Sequence, residues 1–358
     1  MPSPHASTVT LVAGLLWACG DPTPPAPIVD LRPGGDTVNT RDSDVTGAAW
    51  LGGQRWAVLA APNETAGIAD FESGRITPLG TGRTPDLRSP TTLFVADDSL
   101  YVGDWAFRRT TVWTLNGRLV RALPSSEAAR GSLPQARDAQ GRFYADLYPR
   151  PGPDGSGNRD SAVVLRSDPT LTKADTIARL APLDIAEVMS DGGRRFERRV
   201  FGGVDRWGAV SDGSVWVARV YENRVDWRTP DGKWSRGQAL PDRVLEVTRY
   251  DRELFIQGFP PELRGTAQQL PFAPIKPPFE AAFTGAGGQV WLEKSRAPAD
   301  SSRLYHVVDR QGHLAREVRL WGNGRVLAAG ESAVLMSERT PDGTRLLQVM
   351  LPAASARQ

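Results

Sequence analysis

The chain has 358 residues, of which 36 are glycine, 29 are proline and 11 are tryptophan. This length is too great for one compact sandwich, so it predicts either two domains or one domain built from repeats. A formal net charge of +2 provides no general field for nucleic acid, and the single cysteine excludes an intrachain disulfide or a cysteine metal cluster.

The first feature along the chain is a ten-residue apolar stretch, residues 9–18, followed by Cys19. Ten apolar residues are too few to span a membrane as a helix, which needs roughly 20. Leu16-Trp17-Ala18-Cys19 resembles a bacterial lipobox, so we expect residues 1–18 to be a lipoprotein signal peptide and Cys19 to carry the lipid. No lysine or arginine precedes the stretch, and a leader without lipid attachment is the alternative.

Residues 19–27 are rich in proline and predict a stiff, extended tether between an anchor and a folded domain. The predicted location is the cell envelope, on the outer membrane or periplasmic face, with membrane contact through the lipid anchor only. If Cys19 is not acylated, the protein would be secreted.

A four-stranded unit recurs from residue 45 onward and is clearest over residues 210–240. There the turns at Asp212-Gly213 and Asp231-Gly232 separate alternating apolar runs, as expected for hairpin-linked antiparallel strands. Each unit has one large apolar residue soon after its first turn, and we expect this residue to pack between units rather than to bind ligand. The set is Trp56, Tyr101, Tyr144, Trp216, Trp291 and Leu335.

Units of this kind, repeating at roughly 40 to 50 residues, are typical of propeller blades. The predicted fold is all-β: a six-bladed β-propeller of four-stranded antiparallel blades over residues 28–352, followed by a tail at 353–358. The last unit has only three apolar runs, so an open edge would remain. We expect residues 28–32, an alternating segment, to pair into the last blade and close the ring.

The third unit is expanded by a turn-rich stretch, residues 149–160. Within it, Asp154, Ser156, Asn158 and Asp160 place oxygen atoms at alternate positions, as in calcium-binding loops. Leu165 occupies the twelfth position, where such loops have glutamate. A solvated turn is therefore the favoured interpretation and no cofactor is predicted; a calcium site is the alternative.

A polar insertion over residues 184–201 precedes the fourth unit and contains four arginines around Phe196. Arg194, Arg195, Arg198 and Arg199 form a candidate site for an anionic glycan, a lipid headgroup or a partner protein. The alternative is a solvated segment whose arginines pair within the chain.

A second insertion, residues 241–279, separates the fourth and fifth units. Val247, Tyr250 and Leu254 follow helical spacing and predict one short helix whose apolar face they form. A seventh blade is the other interpretation, but six prolines within residues 258–279 leave no second alternating pair of strands.

The blade pattern, the lipobox and the proline-phenylalanine run into Gly288-Gln289-Val290-Trp291 together resemble bacterial six-bladed β-propeller proteins related to the NHL and TolB-like groups. The run contains Pro271, Phe272, Lys276, Pro277, Pro278 and Phe279. This resemblance covers nearly all of the chain after Cys19. It implies an exported propeller that binds a ligand or partner, and it supplies no catalytic residue.

Motifs for chemistry are scarce in this sequence. His5 lies in the leader, while His306 and His313 fall on a predicted strand and next to a turn. No zinc-protease, haem-attachment or esterase motif occurs. Five irregularly placed tryptophans remain candidates for lining a ligand site: Trp105, Trp113, Trp227, Trp234 and Trp321.

The sequence therefore predicts a lipid-anchored, monomeric scaffold that binds a protein, peptide or glycan without catalysis. The first alternative is a metal-dependent hydrolase or lactonase with Glu, Asp and Asn ligands from several blades in the central channel. A sensor module for a membrane complex is the second. Fold alone does not choose among these functions.

Overall fold

The structure, a computed structural model, describes residues 26–80, 87–147, 162–190 and 193–352, with the side chains of Ser190 and Arg195 excepted. Cys19 and the calcium-loop candidates Asp154, Ser156, Asn158 and Asp160 lie outside the described residues. The described chain begins with two short strands, β1 (Ile28–Leu31) and β2 (Asp36–Thr40).

Six sheets follow, which we number in chain order; each has four antiparallel strands, and the fifth has β1 as an additional parallel strand at its edge. The first contains β3 (Gly47–Gly52), β4 (Arg55–Ala60), β5 (Thr65–Asp70) and β6 (Arg75–Pro78). The second contains β7 (Pro90–Ala96), β8 (Ser99–Asp104), β9 (Arg109–Thr114) and β10 (Leu119–Pro124). The third contains β11 (Ala136–Arg137), β12 (Phe143–Leu147), β13 (Val163–Ser167) and β14 (Ala174–Arg179).

A two-stranded hairpin, β15 (Ile185–Ser190) and β16 (Gly193–Arg198), separates the third sheet from the fourth. The fourth sheet contains β17 (Arg206–Ala209), β18 (Val215–Arg219), β19 (Arg224–Arg228) and β20 (Trp234–Ser235). After it come the helices α1 (Arg249–Gln257) and α2 (Arg264–Gln268).

The fifth sheet contains β21 (Phe279–Thr284), β22 (Val290–Lys294), β23 (Ser302–Val308) and β24 (Leu314–Trp321). The sixth contains β25 (Arg325–Ala329), β26 (Ala333–Thr340) and β27 (Gly343–Met350), together with β2. Short 3-10 turns occur at Ala61–Asn63, Pro261–Leu263 and Ala286–Gly288.

The second strand of each sheet is apolar on both faces because a neighbouring sheet covers each face. In β18, Trp216 and Ala218 pack toward the fifth sheet, whereas Val215 and Val217 pack toward the third. Alternate side chains of a strand point to opposite faces, so an unbroken apolar run is expected where both are buried. Six such clusters join the sheets in chain order, and one of them joins the sixth to the first.

The first strands of the six sheets, β3, β7, β11, β17, β21 and β25, contact one another in the same cyclic order, and β25 contacts β3. The fold is therefore all-β and propeller-like, as the repeats predicted.

The N-terminal strands do not pair as predicted. Residues 28–32 were expected in the last sheet, but β1 pairs in parallel with β24 at the edge of the fifth sheet. The place in the sixth sheet belongs to β2, where Val38 lies opposite Leu346. Gly35, at φ +107°, turns the chain between the two sheets, and a Cβ there would lie 2.6 Å from the carbonyl oxygen of Gln348. The prediction was wrong because β2 is polar except for Val38, while β1 shows the clearer alternation.

The aromatic positions are buried as predicted, but Trp56 is not equivalent to the others. Tyr101, Tyr144, Trp216 and Trp291 face the following sheet, whereas Trp56 packs against the preceding, sixth sheet and donates to Gln348 Oε1 at 2.7 Å. A bulge between β3 and β4 shifts the register by one residue. The extra residue lies on β3, between Trp50 and Gly52, and β4 pairs with β5 without a shift.

The predicted helix is present as α1, but its predicted apolar face is wrong. Tyr250 and Leu254 are exposed, and the buried helix residue is Asp251. Asp251 forms a capping box with Thr248 and an ion pair with Lys276, 2.6 Å between Oδ1 and Nζ. Burial of a paired charge therefore replaces the expected apolar contact, and it fixes the proline-rich return segment against the helix.

Because β2 covers the edge of β27, we expect Val38→Ala to destabilise the protein. The side chain is 2% exposed, and removal of two methyl groups should lower the free energy of unfolding by about 2 kcal/mol. The control is Val120→Ala on the outer strand β10, where the side chain is 52% exposed and the change should be within about 0.5 kcal/mol. Equal urea midpoints for the two variants would contradict the pairing of β2.

Candidate functional site

The first strands of the six sheets surround a cavity of about 580 Å³, which we call the central channel. Its wall combines alanine and glycine with the aromatic residues Trp50, Phe94, Trp207 and Phe283, and it also contains five polar residues: Asp97, Gln135, Arg137, Ser211 and Thr284. Phe94 is buried and the other three are half-buried. Flat aromatic faces between small residues form a concave surface suited to an apolar ligand.

Local packing holds these aromatic rings in place. Phe283 stacks on buried Trp291 at 5.9 Å between ring centroids. Trp216 reaches the channel wall because Gly208 is opposite it, where a Cβ would lie 2.6 Å from the indole ring. The Trp216 indole N–H donates to Thr284 Oγ1 at 2.9 Å, which connects the fourth and fifth sheets.

Two charged residues lie at the end of the channel where the first strands finish. Arg137 from the third sheet and Asp97 from the second form an ion pair across the gap between their sheets. This end of the channel therefore has a fixed polar rim around an apolar wall.

A second cavity, of about 550 Å³, lies at the opposite ends of the same strands. We call it the charged mouth, defined by Arg206, Glu280, Glu293, Arg303 and Arg325. Arg206 and Arg325 begin β17 and β25, and Glu280 is the second residue of β21, so the mouth opens where the first strands begin.

Glu293 organises the charged mouth. Its side chain is 4% exposed, with Oε1 2.6 Å from Arg303 Nη1 and Oε2 3.3 Å from Arg325 Nη2. Arg303 Nε also donates to the carbonyl of Gly324 at 2.9 Å, and Arg206 Nη2 donates to the carbonyl of Glu280 at 2.9 Å. A buried carboxylate bonded to two guanidinium groups orders both of them.

Glu280 is the titratable carboxyl that lies in this mouth without a described ion pair. Desolvation in the mouth raises the pKa of Glu280, and the negative charge of Glu293 raises it further. Perturbed groups in a cleft are candidates for function.

The predicted arginine site lies on the hairpin rather than on an irregular loop. Arg194 Nε is 2.7 Å from Glu187 Oε1, and Arg199 Nε is 3.2 Å from Asp184 Oδ1. Arg198 Nη2 donates to the carbonyl of Gly202 at 3.4 Å. The side chain of Arg195 lies outside the described part of the structure. Binding of an anionic partner here stays a prediction.

The hairpin also packs against the second insertion. The amide of Val200 donates to the Pro271 carbonyl at 2.8 Å, and the amide of Ala273 donates to the Val200 carbonyl at 2.9 Å. Because the hairpin precedes β17 and the insertion precedes β21, both lie at the same end of the first strands as the charged mouth.

The five irregular tryptophans do not line either cavity. Trp113 and Trp227 are buried, Trp105 and Trp234 are exposed, and Trp321 donates to Asp30 Oδ1 at 2.9 Å. The lining tryptophans Trp50 and Trp207 were missed. Both lie on first strands shortly before a glycine turn, and comparison of these strands between repeats would have shown them.

Within the described ranges, no cluster of three histidine, cysteine, aspartate or glutamate side chains has the geometry to hold a metal ion. None of the described helices is long and apolar enough to cross a lipid bilayer.

The arrangement of sheets around a channel defines a β-propeller-like protein. No family model and no curated protein matches the chain. Among solved structures it is similar to a member of the DUF4221 family from Bacteroides vulgatus, with 9% identity, a TM-score of 0.51, and coverage of 89% of this chain and 96% of that one.

Two further solved structures are similar over most of their length. The calcium-binding protein regucalcin from Agrobacterium tumefaciens has 10% identity and a TM-score of 0.45, covering 91% of this chain and 97% of that one. Virginiamycin B lyase from Staphylococcus aureus has 11% identity and a TM-score of 0.44, covering 88% and 98%. At identities this low, the similarity extends to the fold alone and gives no information on activity or ligand.

His306, one of the two histidines considered for catalysis, is a buried residue of β23. It is 1% exposed, its Nδ1 has no hydrogen-bond partner among the described residues, and its Nε2 is 3.5 Å from Glu317 Oε1. Burial, together with the Lys294 cation, lowers the pKa of His306 from 6.5 to about 4. His313 is half-exposed beside the Gln311-Gly312 turn.

This burial predicts a loss of stability in mild acid. Between pH 6.5 and about 4 the unfolded chain binds a proton at His306 that the folded chain does not, so stability falls as the pH falls. The loss should approach roughly 3 kcal/mol at pH 4 by urea unfolding and should be absent in His306→Gln. His313→Gln is the control and should retain the loss; an unchanged pH profile in His306→Gln would contradict the assignment.

Proposed function

We propose that the protein is an exported, six-bladed β-propeller that binds a small ligand in its central channel and acts as a binding scaffold without catalysis. The observation that supports this most is the channel of about 580 Å³, which lies within the usual range of roughly 300–1,000 Å³ for small-molecule sites. Its wall offers aromatic faces and small side chains, which bind apolar surface. Of the hydroxyl and carboxylate side chains in the wall, Asp97 is paired with Arg137 and Thr284 accepts a hydrogen bond from Trp216, while Ser211 is the third.

The six sheets are the blades of this proposed propeller, and β2 closes the ring by completing the sixth. Three observations support closure: β25 contacts β3, one apolar cluster joins the sixth sheet to the first, and Trp56 donates to Gln348. A closed ring leaves no blade with an uncovered apolar face, and it holds the channel wall rigid.

A fluorescent neutral probe, N-phenyl-1-naphthylamine, tests the channel. We expect saturable binding near one equivalent per chain, and we expect Ala49→Phe to weaken it by about tenfold or more because a phenyl ring would fill part of the wall. Ala49 is half-buried on β3 and lines the channel.

The matched control is Ala122→Phe on the outer strand β10, where the residue is exposed, and it should leave the probe affinity unchanged. Equal affinity in both variants would exclude channel binding. A stoichiometric divalent ion in the purified protein would instead favour the hydrolase or lactonase alternative.

We also propose that Cys19 carries a lipid and that the protein is anchored at the cell envelope. Leu16-Trp17-Ala18-Cys19 supports this proposal. Expressed in a bacterial host, the wild-type protein should sediment with membranes, and Cys19→Ser should move to the soluble fraction, since stable anchoring needs the acyl chains. The same distribution for both proteins would refute lipid attachment.

A further inference from the structure

The central channel and the charged mouth lie end to end along the same strands. On β17, Arg206 lines the mouth and the next residue, Trp207, lines the channel; on β21, Ala282 and Phe283 have the same relation. Successive residues of a strand are about 3.3 Å apart along its axis. An apolar wall therefore continues directly into a charged one.

The mouth contains more positive than negative charge. It has three arginines and two glutamates, a net charge of +1 when both carboxylates are ionised. Glu293 is occupied on both oxygens by Arg303 and Arg325. Arg325 Nε is buried and has no hydrogen-bond partner among the described residues. This N–H has no accessible surface, so a bound anion would contact the exposed part of the Arg325 side chain, which is 41% exposed.

We propose that the ligand is an amphipathic anion, with its charged group at Arg206, Arg303 and Arg325 and its flat apolar body against Trp207 and Phe283 in the channel. This rests on the proposed function, because it names the class of ligand for the same channel. Carboxylate, sulfonate and phosphate groups share the required chemistry, since each accepts hydrogen bonds from guanidinium groups in a planar, two-pronged geometry.

Glu280 makes this binding depend on pH. The groups that surround it are Glu293 and the cations Arg206, Arg303, Arg325, Lys276 and Arg296. Desolvation by neighbouring side chains and the charge of Glu293 raise the pKa of Glu280, although the residue itself is exposed at the mouth. As the pH falls, Glu280 becomes neutral and the net charge of the mouth rises by one. An anion should then bind more tightly.

Two probes of nearly the same shape separate charge from apolar contact. 1-Anilinonaphthalene-8-sulfonate carries one sulfonate, and N-phenyl-1-naphthylamine is the same ring system without it. We expect Arg325→Gln to weaken the sulfonate by about tenfold and to leave the neutral probe unchanged, because only the charged probe loses a charge-assisted hydrogen bond.

The control for this variant is Arg345→Gln on β27. The Arg345 side chain is 47% exposed, close to the 41% of the Arg325 side chain. It forms an ion pair with Glu338 and does not line the channel or the mouth. It should change neither affinity. Equal effects of Arg325→Gln on the two probes, or no effect on either, would overturn the proposal.

Glu280→Gln provides a second test that leaves the Glu293 ion pairs in place. At pH 8 it should bind the sulfonate about threefold more tightly than the wild type or better, because it removes one like charge. It should also abolish the increase in affinity that the wild type shows as the pH is lowered. A wild type without pH dependence, or a variant that retains it, would contradict the assignment of Glu280.

The outcomes distinguish this inference from the proposed function. If the neutral probe binds and Ala49→Phe weakens it while the arginine and glutamate variants have no effect, the channel is a ligand site and the anionic class is wrong. If neither probe binds, or if Ala49→Phe leaves the affinity of both probes unchanged, the proposed function itself fails.

Discussion

The structure depends on the packing of each sheet against two neighbours. The second strand of every sheet has alternate side chains in two different apolar clusters, as Trp216 and Val217 have in β18. Leaving either face of such a sheet in water would expose several large apolar side chains. The free-energy cost is about 25 cal/mol for each Å² of apolar surface exposed. The sheets must therefore be arranged side by side around an axis, and the first strands, which meet at that axis, form the wall of a channel.

Much of this arrangement follows from the sequence, because burial on two faces produces a local signal. Runs such as residues 215–217 are apolar without a break, and glycine turns separate them at a regular interval. The choice of face is a different matter. The bulge near Trp50 is a backbone event that composition does not reveal, and composition likewise does not reveal that Trp56 faces the sixth sheet. The polar strand β2 pairs with β27 in the last sheet, although β1 has the more regular alternation. The path of the chain, which brings β1 first to β24 of the fifth sheet, decides this pairing and is not visible in the sequence.

The candidate site was less predictable than the fold, because its residues converge only in the folded structure and leave no local pattern in the sequence. Arg206, Glu280 and Arg325 are single charges at the starts of three strands that are far apart in sequence. Only the ring brings them together with Glu293, whose neighbours in β22 are apolar except for Lys294. The arginine run at 194–199 was conspicuous in sequence, yet its described members bond largely within the hairpin and its surroundings. Local charge density and convergence in space are independent properties.

The pairing of β2 with β27 has a consequence for biosynthesis. Val38 meets Leu346, so a strand made among the first cannot find its partner until nearly the whole polypeptide has left the ribosome. Contacts this distant in sequence form slowly, because the entropy of closing a long loop is lost before the favourable contacts are made. The nascent chain therefore cannot complete its last sheet until translation is nearly finished.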